Sequence, residues 1–153
     1  MRQRTIGSSV AFMMLGAVTL TQCSGPTASA ALPFTPVASV GHIMDGIVIP
    51  GSQAVFDAVV YANGELVQAP RTDDDWFRLR MQALAVAEAG NLLLMPPRAK
   101  DGAWGGLART MTTRAAVVAE AAEARDVDQL LAAGSALYDT CTACHAAYLM
   151  EQP

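Results

Sequence analysis

Cysteine, histidine, aromatic residues and basic charge are all scarce in this chain, and each scarcity excludes a class of protein. Three cysteines and two histidines in 153 residues are too few for a disulfide framework. Aromatic residues make up 6% of the chain. The 10 Lys and Arg are outnumbered by 14 Asp and Glu, a formal charge of -4, which argues against nucleic acid as a partner. No internal repeat or low-complexity tract is present beyond an alanine bias, and no segment carries a convincing strand pattern. What remains is an apolar fraction rich in Ala, Leu, Val and Met, a composition that favours helices.

Against that background the run Cys141-Thr142-Ala143-Cys144-His145 stands out. C-x-x-C-H is the attachment site of a c-type haem: two thiols add to the vinyl groups of the macrocycle and the adjacent imidazole becomes an axial iron ligand. On a helix, positions 141 and 145 are one turn apart with 144 beside them, so both sulfurs and the imidazole face one side. At this chain's composition the pattern arises by chance on the order of once in a thousand. A thioredoxin-type dithiol belongs beside a βαβ pattern, and nothing near residue 141 reads as a strand. A zinc site needs four ligands, and only Cys23 and His42 remain to complete one.

Residues 1–30 read as a secretory signal, with Arg2 and Arg4 followed by an apolar run through Leu20 that is too short and too rich in small residues to span a membrane. Two processing sites compete. Ala28-Ser29-Ala30 is an A-x-A site that releases a soluble protein, whereas Leu20-Thr21-Gln22-Cys23 resembles a lipobox in which Cys23 is acylated, with Gln22 departing from the usual small residue. The expected location is the periplasm, soluble or lipid-anchored, with membrane contact only if Cys23 is acylated. Loss of Arg2 and Arg4 leaves eight basic against fourteen acidic side chains, a formal charge of about -6. Basic redox partners are favoured electrostatically, although a modest acidic excess also serves plain solubility.

Residues 31–36 form an N-terminal extension and 37–150 one domain of four helical segments. The first spans about 37–62, with Val40, Met44, Ile47, Gly51, Val55 and Val59 on one stripe and Pro50 kinking or dividing it. The β-branched run at 46–50 is read as helix because the stripe continues through it. A linker with Asn63-Gly64 and Pro70 follows. Thr72 then caps a helix with Asp73, Asp74 and Asp75 in its first turn, and Pro96-Pro97 stops it. The third helix starts between Asp101 and Trp104 and carries Leu107, Met111, Ala115, Val118 and Ala122. Asp126 and Gln129 open the last, which leads through Leu137 into the haem motif. The expected fold class is all-α, an antiparallel four-helix bundle with covalently bound haem near the C-terminus.

A helical chain of this length whose C-x-x-C-H lies in its last helix resembles the cytochrome c′ family, the class II c-type cytochromes. The resemblance covers roughly residues 35–150 in helix order and position of the haem site, is specific at the C-terminus and diffuse elsewhere. It implies one covalent haem c on Cys141 and Cys144, His145 as the proximal iron ligand and Tyr148 as an aromatic packing on the haem side. It also implies a distal residue from the first helix, where Met44 matches the low-spin, methionine-ligated members. A Met/His pair raises the reduction potential and suits electron transfer. Leu149 stands where gas-binding members usually have an Arg, which weakens that reading. Family members often dimerise through their first two helices, so a homodimer is also implied.

His42 is the rival to Met44, but the two lie about 200° apart on a helix, so His42 is expected on the polar side with Asp45. Met81, Met95 and Met111 read as core, and Trp76, Trp104 and Tyr138 as packing residues. Arg71, Arg78, Arg80, Arg98 and Lys100 supply candidate partners for the haem carboxylates. The expected function is an exported cytochrome that carries single electrons and transforms no substrate, with redox proteins as partners. The alternative is a five-coordinate haem protein that binds nitric oxide or carbon monoxide, with Met44 only crowding the distal side. An enzyme such as a peroxidase needs a polar acid-base group facing an open iron, and His42 and Asp45 are expected to turn away.

Overall fold

The computed structural model describes residues 34–149, and the signal segment, Cys23 and both processing sites lie outside them. The described chain is mostly helical, in the order α1 (Val40–Ile43), a π-helical turn (Met44–Val48), α2 (Ile49–Phe56), β1 (Val60–Ala62), β2 (Glu65–Gln68), α3 (Asp73–Leu94), α4 (Trp104–Ala124) and α5 (Val127–Tyr148). No helix among the described residues is long and apolar enough to cross a membrane.

The first helical segment is continuous through the β-branched run, as its stripe predicts, but it is not a plain α-helix. Pro50 has no N–H to give the carbonyl four residues back, and its ring clashes with that turn. The chain meets this with a widened turn: the Ile49 N–H donates to the Met44 carbonyl, five residues earlier. Ser39 caps the segment, its hydroxyl accepting from the His42 N–H at 3.2 Å while His42 Nδ1 accepts from the Ser39 N–H at 3.4 Å.

The expected continuation of this helix to residue 62 is wrong. The helix ends at Phe56, and residues 60–68 form a hairpin in which Tyr61 pairs with Leu66 and Ala62 with Glu65. The turn residues Asn63 and Gly64 have φ of 51° and 84°, the two positive values that a two-residue hairpin turn requires. Val59 is buried, as its place on the stripe predicts, but from the bend between α2 and β1.

The three long helices begin and end close to their expected positions, and for α3 and α5 the capping chemistry is explicit in the sequence. Thr72 Oγ1 accepts from the Asp75 N–H at 3.1 Å, and Asp75 reaches back to the Thr72 N–H at 3.0 Å. These hydrogen bonds hold the Asp75 carboxyl below its ordinary pKa. Asp126 accepts from the Gln129 N–H at 2.9 Å at the start of α5. At the C-terminal end of α3, two carbonyls receive side chains: Trp104 Nε1 donates to Leu93 at 2.9 Å, and Arg98 donates at 2.9 Å to Leu92, which also accepts from the Met95 N–H.

Small residues set the helix spacing. A Cβ on Gly90 would run into Thr112 and come within 2.9 Å of the Ala108 carbonyl, so α3 and α4 approach closely there. Thr112 uses that closeness to donate across the interface to the Ala87 carbonyl. Arg80 pairs with Glu123 and Asp73 with Arg125 at the other end, so α3 and α4 run in opposite directions. α5 packs on α4, and α2 packs on α3 and α5. The core collects Ile43, Val55, Leu79, Val86, Leu93, Trp104, Val118, Leu130 and Leu137 from α1 to α5.

Candidate functional site

The C-terminal half of α5 and the α1–α2 segment face each other across an apolar cavity of about 260 Å³. Cys141, Cys144 and His145 line it from α5, the side-by-side presentation that their spacing predicts. Met44, Val48, Ser52 and Phe56 line it from the opposite segment, at four-residue intervals. Leu93, Trp104, Ala108 and Met111 supply the inner wall from α3 and α4. A second cavity of about 330 Å³ adjoins the first, sharing Met44, Ile49, Trp104, Cys144 and His145 with it. Met44 and His145 therefore lie at the junction of both spaces, on opposite helices.

Met44 is half-buried and packs against the core. His42, two residues earlier, is exposed, belongs to the helix cap and lines neither cavity, as its angular offset predicts. Asp45 departs from expectation: although exposed, it lines the second cavity beside Met44. Met111 also differs from Met81 and Met95, since it is buried and lines the first cavity while the other two line neither.

Tyr148 lines the second cavity. Its ring meets Trp104 edge-on at 5.1 Å between centroids, and its hydroxyl donates to the Asp101 carbonyl at 2.8 Å. The end of α5, with His145 one turn before Tyr148, is thereby tied to the α3–α4 connection. Of the candidate carboxylate partners, Arg78 and Arg80 are engaged with acidic side chains, and Arg98 is buried on the Ala38 and Leu92 carbonyls. Arg71 is exposed and lines neither cavity. Lys100 alone of the five lines either of these two cavities, with Nζ 5.3 Å from the centre of the Trp104 ring.

Both sulfurs are free thiols. Burial pushes the Cys141 thiol above its ordinary pKa, and repulsion from Cys144 adds to the effect. Burial raises Cys144 as well, with Lys100 pulling in the opposite direction. Neither thiol is activated as a nucleophile by its folded surroundings, which is the opposite of the lowered pKa expected of a reactive dithiol. Among the described residues no group of three or more His, Cys, Asp or Glu side chains is arranged to hold a bare metal ion.

The donor set fits a covalently held haem. Two sulfurs and an imidazole emerge from one helix face into a space with apolar walls, and a thioether stands on the facing helix. Sequence reasoning missed Ser52 and Met111 as cavity residues. Ser52 is a hydroxyl one turn beyond Val48 on the stripe that carries Met44, and that position is the signal that identifies it. No protein-family model matches the chain, and no curated protein matches it in sequence.

Proposed function

We propose that this chain is an exported electron carrier of the cytochrome c′ type, an antiparallel four-helix bundle that holds one haem c covalently near its C-terminus. The observation that carries the reading is the convergence of Cys141, Cys144 and His145 with Met44 on one apolar cavity. The haem supplies a one-electron couple between ferric and ferrous iron.

The chain's own residues do the rest. Cys141 and Cys144 would hold the macrocycle through thioether bonds, and the His145 imidazole and the Met44 thioether would bind its iron, a donor pair that favours the reduced state. Tyr148, fixed on Asp101 and Trp104, positions the turn that carries His145. Leu93, Ala108 and Phe56 keep water from the iron, which also favours the less charged ferrous form. His145, the two cysteines and Tyr138 are the titratable side chains that line the first cavity, and the reading gives them holding and packing roles. Export to the periplasm and electron exchange with redox proteins belong to the same proposal, as does pairing of two copies.

Met44 is preferred over Met111 because it lines both cavities with His145, whereas Met111 lines only the first. The test is the absorption spectrum of haem-loaded protein. Wild type is expected to be low-spin, with a far-red methionine-to-iron band and little response to carbon monoxide. Met44→Ala abolishes the band and opens the iron to carbon monoxide, while Met111→Leu retains it. A wild-type spectrum that is high-spin and shifts with carbon monoxide or nitric oxide would remove Met44 as a ligand and put gas binding in first place.

A further inference from the structure

One polar atom in the cavity has no account in the electron-transfer reading. Ser52 is 5% exposed, and its Oγ has no hydrogen-bond partner in the protein. It is the one buried side-chain polar atom in that condition among the described residues. A buried hydroxyl left unpaired is costly, and native proteins nearly always satisfy one.

Its surroundings identify what satisfies it. Phe56 meets Tyr138 at 5.5 Å between ring centroids, Val55 lies against Gly134, and Met44 shares both cavities with His145. The α1–α2 segment and α5 therefore run in opposite directions here, and Ser52, one turn before Phe56, faces the turn of α5 that carries Thr140 and Cys141. Thr140 is 7% exposed and lines the same cavity. Its hydroxyl donates to the Ala136 carbonyl at 3.1 Å, which leaves its oxygen lone pairs able to accept. Two buried hydroxyls thus interrupt a largely apolar space, one free to donate and one free to accept. A macrocycle bonded to Cys141 would present hydrocarbon and sulfur at its bonded edge, neither of them a good acceptor for Ser52.

We infer that Ser52 and Thr140 form a polar subsite that holds a single water molecule, which accepts from Ser52 Oγ, donates to Thr140 Oγ1 and bridges α2 to α5. A water needs at least two polar partners to be held in a protein interior, and this pair provides them. The bridge ties the segment that carries the distal side of the cavity to the helix that carries Cys141 and His145. A dipole held there acts on the charge of a nearby iron, so its loss shifts the potential. The water depends on the protein alone, and its effect on potential rests on the proposed haem function.

The test is a high-resolution crystal structure, with midpoint potentials, of protein matured in a host with haem-attachment machinery. It compares wild type with Ser52→Ala, Thr140→Val and the double variant. In wild type, density for one water is expected within hydrogen-bonding distance of both oxygens, and it is absent from either single variant. Each single variant shifts the potential in the same direction, and the double variant shifts it no further, because both changes remove the same water. A Ser52 Oγ bonded to a protein atom with no water beside it overturns the inference, as do shifts that add in the double variant. Protein that emerges without covalent haem refutes the proposed function, whereas density between Ser52 and Thr140 in the same crystals still decides the water.

Discussion

Gly51 seats α2 against α3, and replacing it with alanine tests whether that seat sets the position of the cavity wall. A Cβ at residue 51 would lie 2.7 Å from Val86 Cγ2 and 3.1 Å from the Gln82 carbonyl oxygen. Ordinary contact to the methyl begins near 3.4 Å, so one side must give by about 0.7 Å. Val86 is fully buried and β-branched, with a single favoured rotamer in a helix, and Gln82 contributes backbone, so neither yields cheaply. Overpacking of this kind costs about 1–3 kcal/mol. Alanine recovers at most about 1 kcal/mol through its better helix propensity. The net expectation is a loss of about 1–2 kcal/mol, a fall in Tm of about 4–8 °C for a domain of this size. Gly106→Ala is the control: nothing lies within 4 Å of its Cβ, so it should gain about 0.5–1 kcal/mol. Thermal unfolding of both variants by circular dichroism is the assay. Gly51→Ala at or above wild-type stability would refute the close seating of α2, and with it the placement of Met44, Val48 and Ser52 as one wall.

Two further expectations follow from the same contacts. Trp104→Phe keeps the ring but leaves the Leu93 carbonyl at the end of α3 without its donor, and should cost about 1–3 kcal/mol in urea unfolding; a loss below about 0.3 kcal/mol would contradict the capping role. Both thiols have folded pKa values raised above 9.0, so their contribution to the stability of haem-free protein is complete below the ordinary thiol range and is lost as pH rises through the folded values. Haem-loaded protein, whose sulfurs are thioethers, should lack that part of the alkaline loss, and identical declines in the two forms from about pH 8 to about pH 10.5 would contradict it.

The parts of the fold that were legible in the sequence are those whose local chemistry and packing pattern agree. Thr72 with Asp75 and Asp126 with Gln129 mark helix starts by side chains that find backbone N–H groups three residues on, whatever the rest of the chain does. The hairpin was missed because Val55 and Val59 extend the apolar spacing of the first helix, and burial of Val59 does not distinguish a helix from a bend. The better signal was Asn63-Gly64 between Val60-Tyr61 and Leu66-Val67, a turn that admits positive φ at both positions. At the site, the spacing of Cys141, Cys144 and His145 determines their common face by helix geometry alone. The partnership of Met44 with that face depends on how α1–α2 packs, and the π-helical turn at Pro50 that rotates it has no periodic signature. The stripe places Ser52 on the cavity wall, but a serine there reads as tolerated small volume until the packing buries its hydroxyl without a partner.

The most direct measurement of the central claim is the intact and peptide mass of the mature chain after expression with haem-attachment machinery. The mature chain is expected to carry the added mass of one haem, with the modification on the peptide that contains Cys141 and Cys144 and with neither sulfur open to alkylation. An unmodified mass with both cysteines alkylated would contradict it, and would leave the cavity between Met44 and His145 in need of a different occupant.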